Sequence, residues 1–381
     1  MQYKVDTVCI HGNGKRKPVD NTGSISFPIY QTAAYAHPAL GQSTGYDYSR
    51  VQNPTREEVE RIMTDLEHGL DALAFSSGMA AVCAFMELFR LGDHIVATDD
   101  LYGGTIRQFS KINEKNGIEV TYVDTSDTAE IEKAIRENTK LLYIETPTNP
   151  MMQVTDIEAV SRIAKAHNCM LAVDNTFLTP YFQNPLDMGA DVVIHSATKY
   201  LEGHNDTLGG FVITNKQDIS DRMRTIFKTT GAGLAPLDSW LILRGIKTLP
   251  VRMEKHQKNA LAIADFLTAH PRVKEVRYIG LKNHPAKEVV DRQCRGYSGM
   301  LTFRVDSRET VCRILEKVNL IRFAESLGGT ESLITYPLTQ THADVPEEKR
   351  LEKGIDETLL RMSVGIENVE DLIADLAQAM E

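Results

Sequence analysis

The chain reads as an α/β protein with a mostly parallel sheet, followed by a smaller α+β domain, and two patterns predict this. Over 55–215, short apolar runs at 72–75, 94–97, 120–123, 141–144, 170–173 and 191–194 alternate with amphipathic stretches such as 128–137 and 157–167. Strand–helix–strand alternation of this kind predicts a parallel sheet covered by helices. After a largely helical span at 217–270 the pattern turns mixed. It predicts strands at 299–305 and 359–364, a helix at 308–318, and a last helix at 369–380 capped by Asn368. A length of 381 residues with 42% hydrophobic content exceeds one compact domain. Three parts are expected: an irregular Gly-, Pro-, Ser- and Thr-rich arm over 1–50, a large domain over 51–240, and a C-terminal domain with its bridging helix over 241–381. An arm of that length needs a surface to lie on, and a neighbouring subunit is the expected one.

Composition narrows the function. With 42 basic and 52 acidic residues the net charge is −10, which argues against a nucleic-acid partner. Cys9, Cys83, Cys169, Cys294 and Cys312 form no CxxC pair, so reduced thiols are expected rather than a disulfide framework. The first residues lack the apolar core of a secretion signal, and there is no apolar run of about 18 residues. A cytoplasmic protein without a membrane segment is therefore expected.

In open α/β sheets ligands bind beyond the carboxyl ends of the strands. Five predicted strand ends carry polar groups: Ser76-Ser77-Gly78-Met79, Asp99 to Gly104 with Tyr102, Glu145-Thr146-Pro147-Thr148-Asn149-Pro150, Asp174-Asn175, and His195-Ser196-Ala197-Thr198-Lys199. Ser77-Gly78-Met79 opens a helix whose free N–H groups suit a phosphate, although a plain Ser N-cap explains the same residues. Lys199 follows an apolar strand. Desolvation there would favour the neutral, nucleophilic amine, whereas lysines at strand ends ordinarily reach solvent. Ser196 and Thr198 are spaced to reach a phosphate on the same side. Asp174 is placed to pair with a protonated ring nitrogen, or merely to cap a turn. Tyr102 suits stacking on a flat ring, or half-buried core.

Together these segments resemble the Cys/Met-metabolism family of fold-type-I pyridoxal-phosphate (PLP) enzymes. Further carriers are Tyr48-Ser49-Arg50 with Asn53-Pro54-Thr55-Arg56, Tyr102-Gly103-Gly104-Thr105, Glu325-Ser326-Leu327-Gly328-Gly329 and Arg361-Met362-Ser363-Val364-Gly365. The resemblance implies a seven-stranded sheet and a Schiff base between PLP and Lys199. It implies that Ser77, Gly78, Met79, Ser196 and Thr198 hold the phosphate, completed by Tyr48 and Arg50 of an adjacent subunit in a homotetramer. Tyr102 would stack on the ring and serve the leaving group, and Asp174 would pair with the ring nitrogen. Arg361, with Asn149, Ser326 and Leu327, would hold the α-carboxylate of a sulfur amino acid or homoserine ester.

Within the family, Asp47, Arg107 and Glu325 match positions that in γ-synthases and γ-lyases bind the distal end of cystathionine or cysteine, though each is also explicable as a surface ion-pair partner. Gly104 stands where methionine γ-lyases carry cysteine. Residues 331–337 and Thr341-His342-Ala343-Asp344 look like bacterial synthases or β-lyases. Cystathionine γ-synthase or γ-lyase chemistry is therefore expected, with β-lyase as the alternative. A Rossmann dehydrogenase would need GxGxxG after the first strand, which 75–81 lacks. A binding protein that had lost catalysis would be expected to lack Lys199, Asp174 or Arg361. His195 and His204 with Asp206 fit no standard metal-ligand spacing, so no metal is expected.

Overall fold

The computed structural model describes residues 3–14, 22–341 and 347–381; positions 342–344 of the segment singled out above lie outside them. The large sheet contains β1 (Asp71–Phe75), β2 (His94–Thr98), β3 (Glu119–Val123), β4 (Thr139–Glu145), β5 (Met170–Asp174), β6 (Val192–Ser196) and β7 (Gly210–Thr214). Its order is β1-β7-β6-β5-β4-β2-β3. All the strands run parallel except β7, which is antiparallel to both β1 and β6.

The sheet is buried on both faces, so its central strands read as continuous apolar runs. Strand alternation divides them cleanly. Ala72, Leu142, Leu171, Val173, Val193 and Phe211 lie on one side, in the core that also holds Val59, Ile62 and Met63 of the helix Pro54–Leu66. Leu73, Tyr143, Ala172, Ile194 and Val212 lie on the other, in the core that also holds Ala81, Val82 and Phe85 of the helix Gly78–Met86. Asn53 Oδ1 caps the first of these helices by accepting from Thr55 N and Arg56 N, with Pro54 at its opening position.

A second sheet, of order β10-β11-β12-β9-β8, follows. Its strands are β8 (Val273–Arg277), β9 (Met300–Val305), β10 (Arg322–Phe323), β11 (Leu333–Thr335) and β12 (Leu359–Ser363). The 21-residue helix Leu249–Ala269 joins the two regions. Its Met253 packs in the large core, and its Ala260, Ile263 and Leu267 pack in the smaller one. Asn368 caps the last helix, Val369–Met380, by accepting from Glu370 N.

Three differences from the sequence reading stand out. The strand β7 went unrecognised because its leading glycines weaken the β pattern. The strands β8, β10 and β11 were also missed; β10 and β11 are only two and three residues long. The arm is not wholly irregular, since Val5–His11 is helical and buries Val8 and Cys9 against the large core of its own chain.

Gly210 shows how β7 shapes the ligand face. A Cβ there would lie 2.3 Å from the Ser77 carbonyl oxygen and 2.7 Å from Gly78 Cα. Gly210→Ala should therefore cost about 1–3 kcal/mol through forced displacement of the Ser77–Gly78 turn. Urea denaturation reads this directly, and an unchanged midpoint would show that the turn yields freely.

Candidate active site

The ends of β4, β5 and β6 and the start of the helix Gly78–Met86 converge on a cavity of about 220 Å³. Tyr102, Asn149, Asp174, Ser196, Thr198, Lys199, Glu325, Ser326, Leu327 and Arg361 line it with Ser77, Gly78 and Met79. The smaller domain contributes Arg361 from the middle of β12 and the Glu325–Leu327 stretch, which follows β10.

Lys199 lies just after β6, in a turn fixed on both sides. Arg252 donates from Nη1 to Tyr200 O at 2.7 Å and from Nη2 to Leu201 O at 3.3 Å. Tyr200 Oη accepts from Gly299 N at 3.1 Å. The ammonium loses its hydration there and faces the Arg361 cation, while Glu325 opposes the effect. The pKa falls to about 8. Lys199 Nζ donates to Ser326 Oγ at 3.0 Å.

Arg361 is 1% exposed. It donates from Nη1 to Asn149 Oδ1 at 2.9 Å, and from Nη2 to Ser326 O and Thr335 Oγ1, each at 3.1 Å. Its buried Nε has no partner among the described residues. A donor left this way favours an arriving carboxylate. Burial lowers even this guanidinium to about 10.

Two carboxyls share the cavity, Glu145 buried and Asp174 partly so. Burial raises the Asp174 pKa, against hydrogen bonds from Thr176 Oγ1 at 2.6 Å and Thr176 N at 3.1 Å. Burial and then the charge of Asp174 push Glu145 well above the usual carboxylate range. Glu145 Oε2 accepts from Tyr102 N at 3.0 Å and so fixes the turn that carries the Tyr102 ring. The sequence reading gave Glu145 no role. Its signal was only its place at a strand end, since the contact with Tyr102 spans 43 residues.

Other expected residues are placed less directly. Ser77 Oγ caps its helix by accepting from Ala80 N, the plain N-cap arrangement, while the residue also lines the cavity. Thr198 Oγ1 is engaged with Gly209 N and O at 3.2 and 3.3 Å. Tyr48 and Arg50 are outside the cavity of their own chain, with Arg50 Cζ 5.6 Å from the Tyr48 ring centroid and its Nη1 donating to Lys228 O. Asp47 is exposed and meets Ser43 and His37. Arg107 is exposed at the end of the helix Gly103–Arg107, away from the lining. His195 contacts Glu67 and His204 contacts Glu202, and no cluster suited to a metal ion occurs among the described residues. No helix among them is long and apolar enough to cross a membrane.

The family model for Cys/Met metabolism PLP-dependent enzymes matches residues 6–381. The chain belongs to this family. Like other members of the Cys/Met-metabolism family, it is a PLP-dependent enzyme. It is 51% identical to a cystathionine gamma-lyase of Bacillus subtilis, covering 99% of each chain. It is 49% identical to a cystathionine gamma-synthase of Haemophilus influenzae, covering 100% of this chain and 98% of the relative. A cystathionine beta-lyase of Lactococcus lactis is 46% identical, with 99% of each chain covered. Among solved structures, a cystathionine gamma-lyase of Lactobacillus plantarum complexed with L-serine superposes with a TM-score of 0.95 at 41% identity, covering 99% of this chain and 98% of that one.

The cavity fits PLP on its own geometry. A Cβ at Gly78 would lie 2.8 Å from Ser196 Cβ, so only glycine leaves the notch between the helix start and β6 open to a phosphate. A buried amine stands on the same wall for an aldehyde, and Asp174 for a ring nitrogen.

The charges around Lys199 set a measurable pH dependence. Reaction with an aldehyde needs the neutral amine, so reconstitution of apoenzyme with PLP should accelerate as pH rises through about 8. Arg361→Met removes a repelling cation and should move that midpoint up. Glu325→Gln removes a stabilising anion and should move it down. Stopped-flow absorbance across pH 6–10 measures all three, and a midpoint indifferent to both substitutions would contradict the assignment of charge.

Proposed function

We propose that the chain forms or cleaves the C–S bond of cystathionine at the γ-carbon, as a cystathionine γ-synthase or γ-lyase. The β-lyase reaction, which gives pyruvate, ammonia and homocysteine, is the alternative. The observation that carries the reading is Glu325, the carboxylate of the cavity lining that lies open to solvent. An anion on the open side suits the distal ammonium of a substrate whose α-carboxylate is held deeper by Arg361. The names borne by the relatives include γ-lyase, γ-synthase and β-lyase, and so support C–S chemistry in general.

In this reading Arg361 binds the α-carboxylate through its free Nε and its fork, oriented by Asn149 and the Ser326 carbonyl. Bound PLP supplies an aldehyde for Lys199 and a ring that accepts electrons from Cα. Lys199 Nζ, once free, takes the Cα proton; an amine with a pKa of about 8 is well matched to that task near neutral pH. Asp174 keeps the ring nitrogen protonated. Ser77, Gly78, Met79, Ser196 and Thr198 surround the phosphate. Tyr102 stacks on the ring and exchanges a proton at the leaving group. Ser326 and Leu327 close the carboxylate side.

The same reading has the 1–50 arm lying on a neighbouring subunit. There it brings Tyr48 and Arg50 to the phosphate and Asp47 to the distal end of the substrate, with Arg107 beside it. The assembly is a cytoplasmic homotetramer of active dimers, each chain divided near residue 240.

Two measurements test the reading. Glu325→Ala should raise KM for cystathionine about tenfold, near 1.4 kcal/mol, while the bound-cofactor absorbance stays intact. An unchanged KM, with cystathionine turned over as in wild type, would remove the ground for γ chemistry. With cystathionine, wild type should release 2-oxobutyrate and cysteine, or make cystathionine from an O-acyl homoserine and cysteine. Pyruvate with homocysteine as the main products would establish the β-lyase alternative.

A further inference from the structure

The loop that presents Tyr102 to the cavity is gripped twice from the side of the smaller sheet. It runs from the end of β2 at Thr98 to the helix Gly103–Arg107. The large-sheet side holds it through its backbone and Asp100: Asp99 N donates to Val123 O at 3.0 Å, and Asp100 Oδ2 accepts from Met151 N at 3.1 Å. From the opposite side, Lys353 Nζ donates to Asp99 Oδ2. At the far end of the loop Gly103 meets the Thr341 carbonyl so closely that a Cβ would lie 2.6 Å from its oxygen. Thr341 itself lines the cavity.

Both grips are carried by segments fastened to β9 and to each other. Arg304 of β9 donates from Nη2 to Gly354 O at 2.7 Å and from Nη1 to Thr358 Oγ1 at 3.2 Å. Arg350 Nη1 donates to Leu338 O at 2.9 Å, and Tyr336 Oη donates to Glu357 O at 3.1 Å. The strand β12, which carries Arg361, begins at Leu359, and Leu359 forms a small apolar cluster with Ile355 and Met151. A short path thus leads from Asp99 through Lys353 to the strand of Arg361, while Tyr102 follows Asp99 by three residues. Exposed ion pairs hold little. This pair is largely shielded: the Asp99 and Lys353 side chains are 17% and 26% exposed, and Asp99 Oδ1 is buried with no hydrogen-bond partner among the described residues. Asp124 adds a like charge nearby. A carboxylate so placed depends on its lysine.

We propose that Asp99 and Lys353 are positioning residues for the substrate: their ion pair sets the gap between the Tyr102 wall of the cavity and the Arg361 wall. The inference rests on the reading that Arg361 holds the α-carboxylate and Tyr102 the cofactor ring. A substrate amino acid bridges those two walls, so the pair prepares the gap before binding. Without the pair, part of the substrate's binding free energy is consumed in drawing the walls together. The loss then falls on KM more than on kcat.

The test is steady-state kinetics of purified holoenzyme with L-cystathionine, or with O-acetylhomoserine and cysteine if wild type only synthesises. Lys353→Met should raise KM about tenfold, with kcat within about twofold of wild type and the visible cofactor band unchanged. Asp99→Asn should match it. The double variant Asp99→Asn/Lys353→Met should be no worse than either single one, because all three cut the same link. Lys353→Arg keeps the cation and should stay near the wild-type KM. A pair that only stabilises the fold would lower the urea midpoint with KM unmoved, and that result overturns the proposal. So does a double variant whose rise in KM is the product of the two single rises. Loss of the fold in Lys353→Met, Asp99→Asn and the double variant alike overturns it too, by assigning the pair to the core. An Arg361→Met enzyme with unchanged KM would instead overturn the reading of the carboxylate grip on which the proposal rests.

Discussion

Two cations facing each other inside one buried cavity form the constraint on which the site depends. Lys199 and Arg361 have both lost hydration, and the guanidinium makes the charge of the amine more costly still. Arg361 cannot readily give up its proton, so the lysine yields. The fold supports that asymmetry from several directions. The guanidinium is held by Asn149, Ser326 and Thr335, whereas the amine has one hydroxyl contact, Ser326 Oγ. A group with few partners is free to react, and one with many is fixed to bind.

This division of labour follows the two sheets. The large sheet, helix-covered on both faces, presents Glu145, Asp174 and Ser196 as a rigid row at its parallel strand ends. The smaller sheet delivers Arg361, and its neighbouring loop delivers Glu325 and Ser326. Ser326 touches both partners, Lys199 through its hydroxyl and Arg361 through its carbonyl. A carboxylate arriving at Arg361 therefore perturbs the residue that steadies the amine. The helix Leu249–Ala269 holds the two regions in register, and its Arg252 fastens the turn after Lys199.

Much of this was legible in the sequence, for identifiable reasons. Strands buried on both faces are dense apolar runs, and the polar residues that end them mark the site; Lys199, Asp174 and Ser196 were found that way. The strand β7 escaped because Gly209 and Gly210 are selected for close approach to neighbouring atoms rather than for β propensity. Lys353 left no local trace. It follows a short charged helix, Glu347–Glu352, and its meaning comes from an aspartate 254 residues away. Tyr48 and Arg50 carry a recognisable motif, but in the chain itself they lie outside the cavity lining.

The order of strands in the large sheet bears on how the chain is made. The strand β1 ends the sheet order, paired along its length with β7, more than a hundred residues later, and bridged at Phe75 on its other side to Gly233. On a ribosome, which releases the chain from its N-terminal end, β1 emerges long before its partner exists. An open apolar edge of this kind invites wrong pairing. The nascent chain must therefore shelter 71–75 until 214 has emerged, and slow synthesis across that interval would fall hardest on yield rather than on the finished enzyme.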